Sequence, residues 1–137
     1  MRKQRKPKPP VESEASIQRR IVDYLEAHGW FVYLNRSGKM NALAGRMSGG
    51  SAKDNGSPDL FCWKWGKPTR ILGDNTGDGY ITRTEPCHFA VEVKRPGGKQ
   101  SDAQVAWAGR YCATGHSYLL AYDHSDVERF LKGKGWL

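Results

Sequence analysis

The stretch HFAVEVK, residues 88–94, constrains the fold more than any other part of the chain. It is a run of strand-forming residues in which Phe89, Val91 and Val93 fall on one face and Ala90, Glu92 and Lys94 on the other. The first face reads as core, so the chain needs a sheet with an apolar layer against it. The second carries an acid and a base two residues apart. Open to water, that is an ordinary solvated pair worth at most about 1 kcal/mol. The sharper alternative is a metal site, with Glu92 as an oxygen ligand and Lys94 steering a water, and it requires a second acid from elsewhere in the chain.

The remaining segments supply a setting for that strand. Ser13 is placed to cap a helix over 14–28, with Ile17, Ile21, Leu25 and Val22 on its buried stripe and Gly29 ending it. WFVYL, 30–34, reads as a buried strand, followed at 37–58 by a glycine-, serine- and lysine-containing stretch without a sustained period, which predicts a long loop. Asp59 follows the turn Gly56-Ser57-Pro58 and opens a second strand, LFCWKW, over 60–65. Residues 66–87 read as an insertion, a hairpin of 69–72 and 80–84 around GDNTGDG. After the strand containing Glu92, Ser101 and Gln104 have capping-box spacing for a helix to about residue 113, with Ala103, Ala106, Trp107 and Tyr111 available for packing. HSYLLAY, 116–122, is a fourth strand, and Ser125 with Glu128 suggests a cap for a closing helix, DVERFLK. The expected class is α/β, a mixed central sheet flanked by helices in the order α-β-β-β-α-β-α. A basic, disordered tail over 1–12 precedes a single domain over 13–137.

Charge narrows the partners. The net charge is +8, of which Arg2, Lys3, Arg5, Lys6 and Lys8 contribute five, so the rest of the chain is only mildly basic. Such a balance favours a polyanion, most simply nucleic acid. Nothing approaches the roughly 20 apolar residues of a membrane span, and no apolar segment follows the tail, so a soluble, cytoplasmic protein is expected. Cys62, Cys87 and Cys112 are odd in number and form no C-x-x-C pair. They read as reduced packing residues rather than a disulfide framework or a zinc site.

Asp59 is the second acid that the metal reading requires. A Mg²⁺ or Mn²⁺ site for phosphodiester hydrolysis takes one or two carboxylates and leaves the other positions to water and substrate. Asp59 and Glu92 meet that count, and the backbone carbonyl of Val93, between Glu92 and Lys94, adds a ligand. Lys94 would orient the water or stabilise the pentavalent state. Glu14 could serve a second ion or a metal-bound water, and Gln104 could position the nucleophile or Lys94. Glu14 is equally explained as an acid favoured in a first helical turn, and Gln104 as a capping-box residue.

S-P-D at 57–59, E-V-K at 92–94, the following R-P-G-G and S-x-x-Q at 101–104 resemble the PD-(D/E)xK nuclease superfamily, and specifically the virus-type replication-repair nucleases, the VRR-NUC family. The likeness extends to E-x-S-I-Q at 14–18, Y-L at 24–25 and N-R-S-G at 35–38, covering the chain from about Ser13 to Asp126. The resemblance implies a restriction-endonuclease-like core and metal-dependent DNA endonuclease activity, with Asp59, Glu92 and Lys94 as the catalytic centre and Glu14 and Gln104 in support. It further implies a homodimer acting on branched DNA such as four-way (Holliday) junctions, and a phage or bacterial setting. The 66–87 insertion and the basic tail depart from the family pattern. Contacts to DNA phosphates are expected from Arg36, Lys39, Arg46, Lys53, Arg95 and Lys99.

Other chemistries compete. DNTGDGYITRTE, 74–85, follows the calcium-loop pattern, with Asp74, Thr76, Asp78 and Glu85 at ligand positions. Against it, Gly66 and Pro68 disfavour an entering helix and Pro86 an exiting one. A non-catalytic DNA-binding module would explain the charge but would set Asp59 and Glu92 against a polyanion for no reason. A nuclease acting on flaps or ends is a further alternative. The four histidines, His28, His88, His116 and His124, show no metal-ligand spacing.

Overall fold

The computed structural model describes residues 6–36, 55–72 and 80–137. Its elements, in chain order, are α1 (Glu14–Ala27), β1 (Phe31–Leu34), β2 (Leu60–Trp65), β3 (Thr69–Leu72), β4 (Tyr80–Arg83), β5 (Pro86–Val93), α2 (Asp102–Ala113), β6 (Ser117–Ala121) and α3 (His124–Lys134). The protein is α/β, with a four-stranded mixed sheet ordered β1-β2-β5-β6. β1 and β5 both run antiparallel to β2, and β6 runs parallel to β5. A parallel neighbour demands a crossover, and α2 is that connection. β3 and β4 form a separate antiparallel hairpin.

One face of the sheet holds the core. Leu60 and Cys62 of β2, Phe89, Val91 and Val93 of β5 and Ala121 of β6 pack with Ile17, Ile21 and Leu25 of α1 and Val127 and Leu131 of α3. The α1 stripe repeats every four residues, as one helix face requires. Ser13 caps this helix, its side chain accepting from the Ser16 amide at 3.2 Å. At the other end the chain turns at Gly29 with φ +81°, and Lys64 Nζ donates to the His28 carbonyl at 2.7 Å. Trp30 and Phe130 close the apolar layer around Phe89, at ring separations of 5.1 and 5.0 Å.

The opposite face carries α2. Ring contacts join Trp107 and Tyr111 to Phe61 of β2, and Trp107 to Tyr118 of β6. Phe61 and Tyr118 both pair with Ala90, so their side chains share the face of Ala90 and Glu92. Of the four α2 residues expected to pack, Ala106 is exposed: Ala103, Trp107 and Tyr111 make a stripe four residues apart, and Ala106 falls off it.

The closing helix starts earlier than the sequence suggests. Asp126 Oδ2 accepts from the amides of Tyr122 (2.9 Å) and Asp123 (3.3 Å), which fixes the N-cap at Asp123, whereas Ser125 Oγ donates to Asp123 Oδ2. The expected Ser125–Glu128 cap is therefore replaced. The three thiols are free, with Cys62 buried and Cys112 exposed. Among the described residues no helix is long and apolar enough to cross a membrane.

Candidate active site

Asp59 and Glu92 reach one another through strand register. The β2–β5 ladder ends at Leu60 opposite Val91, and one further step of the same register sets Asp59 opposite Glu92, on the face covered by α2. Asp59 Oδ2 accepts from the Val93 amide at 2.8 Å. A residue in an extended strand points its N–H and C=O to the same edge, so the Val93 carbonyl is directed toward the Asp59 side as well.

The turn before Asp59 is held from two directions. Asn35, just past β1, donates from its side chain to the Pro58 carbonyl and from its backbone to the Asp59 carbonyl, both at 2.8 Å. Gly56, with φ +79°, lies so close to the first turn of α2 that a Cβ there would sit 2.1 Å from the Ala103 carbonyl oxygen. Only glycine combines that φ with that approach.

Glu92 is 2% exposed and Gln104 8%. Gln104 Nε2 donates to Glu92 Oε1 at 2.7 Å, while Gln104 Oε1 accepts from the Ser101 amide at 2.8 Å and the Gln104 amide donates to Ser101 Oγ at 3.2 Å. The capping box is thus real, and its glutamine also orients the buried acid. Lys94 Nζ lies 3.5 Å from Glu92 Oε1. The solvated-pair reading of Glu92 and Lys94 therefore does not describe the acid, since a carboxylate this buried costs several kcal/mol to desolvate and needs compensating partners.

Tyr118 was not singled out by the sequence. Its hydroxyl accepts from Gln100 Nε2 at 3.1 Å. Burial first, and then the negative charge of Glu92 with a smaller contribution from Asp59, push its phenol up to about 12 against the Gln100 hydrogen bond. Its strand, HSYLLAY, is apolar almost throughout, so only the β5–β6 register reveals that Tyr118 faces the carboxylates. No family profile, curated protein or solved structure matches the chain.

Glu14 starts α1 at the same end of the sheet, since Ala15 and Gln18 border one groove with Leu34, the residue before Asn35. It is exposed, and among the described residues no three His, Cys, Asp and Glu side chains gather as a metal-holding group. The structure therefore joins Asp59, Glu92, Lys94 and Gln104, and leaves Glu14 on the surface. Arg36, Arg95 and Lys99 are exposed. Lys39, Arg46 and Lys53 lie outside the described residues, as do Asp74, Thr76 and Asp78 of the calcium-type pattern, whose last position, Glu85, is exposed.

The donor set suits a hard divalent cation. Two carboxylates and a strand carbonyl are oxygen donors that could hold such an ion, and the count would leave positions for water and phosphate, as Mg²⁺ and Mn²⁺ sites do.

Proposed function

We propose that this protein is a Mg²⁺- or Mn²⁺-dependent endodeoxyribonuclease of the VRR-NUC type, hydrolysing DNA phosphodiester bonds at branched structures such as four-way junctions. The observation that carries the reading is the buried Glu92, held by Gln104 and Lys94, beside an Asp59 anchored on the Val93 amide. A carboxylate is expensive to bury, and a purely structural role would be met as well by an apolar residue.

In this reading Asp59, Glu92 and the Val93 carbonyl hold the cation. The bound ion supplies Lewis acidity and a water of lowered pKa. Gln104 fixes which oxygen of Glu92 faces Lys94, and the Ser101 cap fixes Gln104. Lys94, close to Glu92 and with its side chain 14% exposed, places an ammonium where negative charge accumulates on a phosphoryl oxygen. Arg36, Arg95 and Lys99 contribute phosphate contacts whose strength falls with salt. The products are a 5′-phosphate and a 3′-hydroxyl, and a homodimer lets two sites address paired strands.

The test incubates labelled four-way junction, flap and linear duplex with Mg²⁺ or Mn²⁺ and compares wild type with Asp59→Ala and Glu92→Ala. Metal-dependent cutting by wild type alone supports the site. Cutting retained by both variants excludes it, and tight binding without cutting by wild type favours a binding module.

A further inference from the structure

The sheet face that carries Asp59 and Glu92 extends beyond α2 onto β1 and β2, and there its residues are aromatic without exception. Phe31 and Tyr33 of β1 and Phe61, Trp63 and Trp65 of β2 share this face, since Phe31 pairs with Trp63 and Tyr33 with Phe61. The aliphatic residues of the same strands, Val32, Leu34 and Leu60, go to the core or against it. Phe31 is 66% exposed, Tyr33 53%, Trp63 41% and Trp65 71%. Three of these rings form a connected row, Phe31 to Trp63 at 5.8 Å and Trp63 to Phe61 at 6.3 Å with planes 28° apart, and Tyr33 and Trp65 flank it on the same face. From Phe61 the row continues to Trp107 at 6.1 Å and from Trp107 to Tyr118 at 6.2 Å, which faces the two carboxylates. Phe31, Trp63 and Trp65, with Gly29, Lys64 and Pro86, also line a cleft of about 350 Å³ at the outer end.

We infer that this row is a stacking platform for unpaired nucleobases, so that the nucleic acid bound here is single-stranded or splayed open beside the site of cleavage. The inference rests on the proposed nuclease reading for its link to cutting and on the row itself for binding. Large aromatic rings cost free energy when left in water, and a row of them on one sheet face is what sequence-tolerant stacking uses, because every base has a π-face. The charge agrees with this occupant. Arg36 follows β1 and Lys67 follows β2, both at the surface, so phosphates of a strand lying across the two strands meet cations at both ends of the platform. The continuity of rings up to Tyr118 sets the direction: a strand stacked on Phe31, Trp63 and Trp65 is delivered toward Asp59 and Glu92.

The experiment measures binding in EDTA, so that no cutting intervenes, by anisotropy of labelled oligothymidylate and of a blunt duplex of the same length. Wild type is compared with Phe31→Ala, Trp65→Ala and Trp65→Phe, with circular dichroism to verify the fold. Both alanine variants should bind oligothymidylate about tenfold to a hundredfold more weakly while duplex affinity stays within about twofold, and Trp65→Phe should retain most of the binding. Unchanged oligothymidylate binding in both alanine variants, equal losses for single strand and duplex, or no binding of oligothymidylate by wild type would each overturn the platform. So would self-association in sedimentation velocity that the alanine variants abolish while single-strand binding persists, since the face would then join two copies of the chain. If wild type cuts no substrate yet the alanine variants lose single-strand binding, the nuclease reading fails and the platform stands. If wild type cuts and the variants bind as it does, the platform alone fails.

Discussion

Replacing Glu92 by glutamine separates a catalytic acid from a structural one. Glu92 Oε1 lies 3.5 Å from Lys94 Nζ, which at an effective dielectric constant of about 20 is an attraction of roughly 5 kcal/mol. Burying the two charges costs several kcal/mol each, so the pair comes near to break-even as a contribution to stability. Glutamine has the same shape, still offers an Oε1 to the Gln104 amide group, and leaves Lys94 with an ammonium that reaches water. Stability should therefore change by less than about 2 kcal/mol in either direction, a melting shift under about 8 °C for a chain of this size. Activity should behave differently. If Glu92 holds the proposed cation, losing that carboxylate removes several kcal/mol of transition-state stabilisation, and 4 kcal/mol is about a thousandfold in rate. Scanning calorimetry and single-turnover cleavage of a labelled junction with Mg²⁺ measure the two quantities on one preparation. Cleavage within about tenfold of wild type, or a melting temperature lowered by more than about 15 °C, would refute the reasoning, because Glu92 would then serve the fold rather than the chemistry.

The surrounding groups carry further expectations. Tyr118, raised from 10.0 to about 12 by burial and by Glu92, favours its neutral form in the folded chain, so its contribution to stability is complete below about pH 10 and is lost as the pH climbs through about 12. Burial raises the phenols of Tyr24 and Tyr111 as well, so ultraviolet titration should show a late step that is smaller in Tyr118→Phe and partly shifted down in Glu92→Gln; a late step of undiminished size in Tyr118→Phe would contradict the assignment. Burial acts to raise Asp123, but hydrogen bonds from Arg20 and His124 outweigh it and hold the carboxyl at about 2 instead of 3.8, so its stabilising effect is complete above about pH 4 and disappears as the pH falls through about 2. Arg20→Ala should move the Asp123 carboxyl resonance titration toward the ordinary value and bring acid unfolding to higher pH. Burial pushes the Cys62 thiol up to about 12, so a disulfide reagent should label the exposed Cys112 in the native protein and Cys62 only after unfolding. Gly56→Ala should reduce cleavage at least about tenfold without touching either acid, since its Cβ would press on the Ala103 carbonyl and part the Asp59 turn from Gln104; wild-type turnover in this variant would show that the contact is dispensable.

What the sequence discloses, and what it hides, follows from the range of the interactions involved. The alternation in HFAVEV and the four-residue stripe Ile17, Ile21, Leu25 are local periodicities, and the strand and helix they imply are present at nearly the expected bounds. The Asp59 turn was legible from Gly56-Ser57-Pro58, although the reason for the glycine, its approach to α2, belongs to tertiary packing. Tyr118 escaped because its place depends on the parallel register between β5 and β6, which no local pattern encodes. The cap of α3 escaped for a smaller reason: Ser125 and Asp123 are both competent caps, and the amides of Tyr122 and Asp123 on Asp126 decide between them. Glu14 shows the limit of a local reading: its place in a first helical turn follows from the sequence, and the structure finds it exposed at the start of α1.

The location of the site has a simple cause in the sheet order. β5 is the only strand of the four-stranded sheet flanked by one antiparallel and one parallel neighbour, so its carboxyl end meets the beginning of β2, the end of β6 and, through the crossover, the first turn of α2. β5 contributes two groups there, Glu92 and Lys94, and the others one each: Asp59 from the entry to β2, Tyr118 from β6 and Gln104 from α2. The positive end of the α2 dipole points toward the same place, which favours the buried carboxylate and any phosphate brought beside it. An arrangement that concentrates two acids where four elements converge is costly to the fold, and under the proposed function a cation shared between those acids would offset that cost, which gives a physical reason to test the site for chemistry.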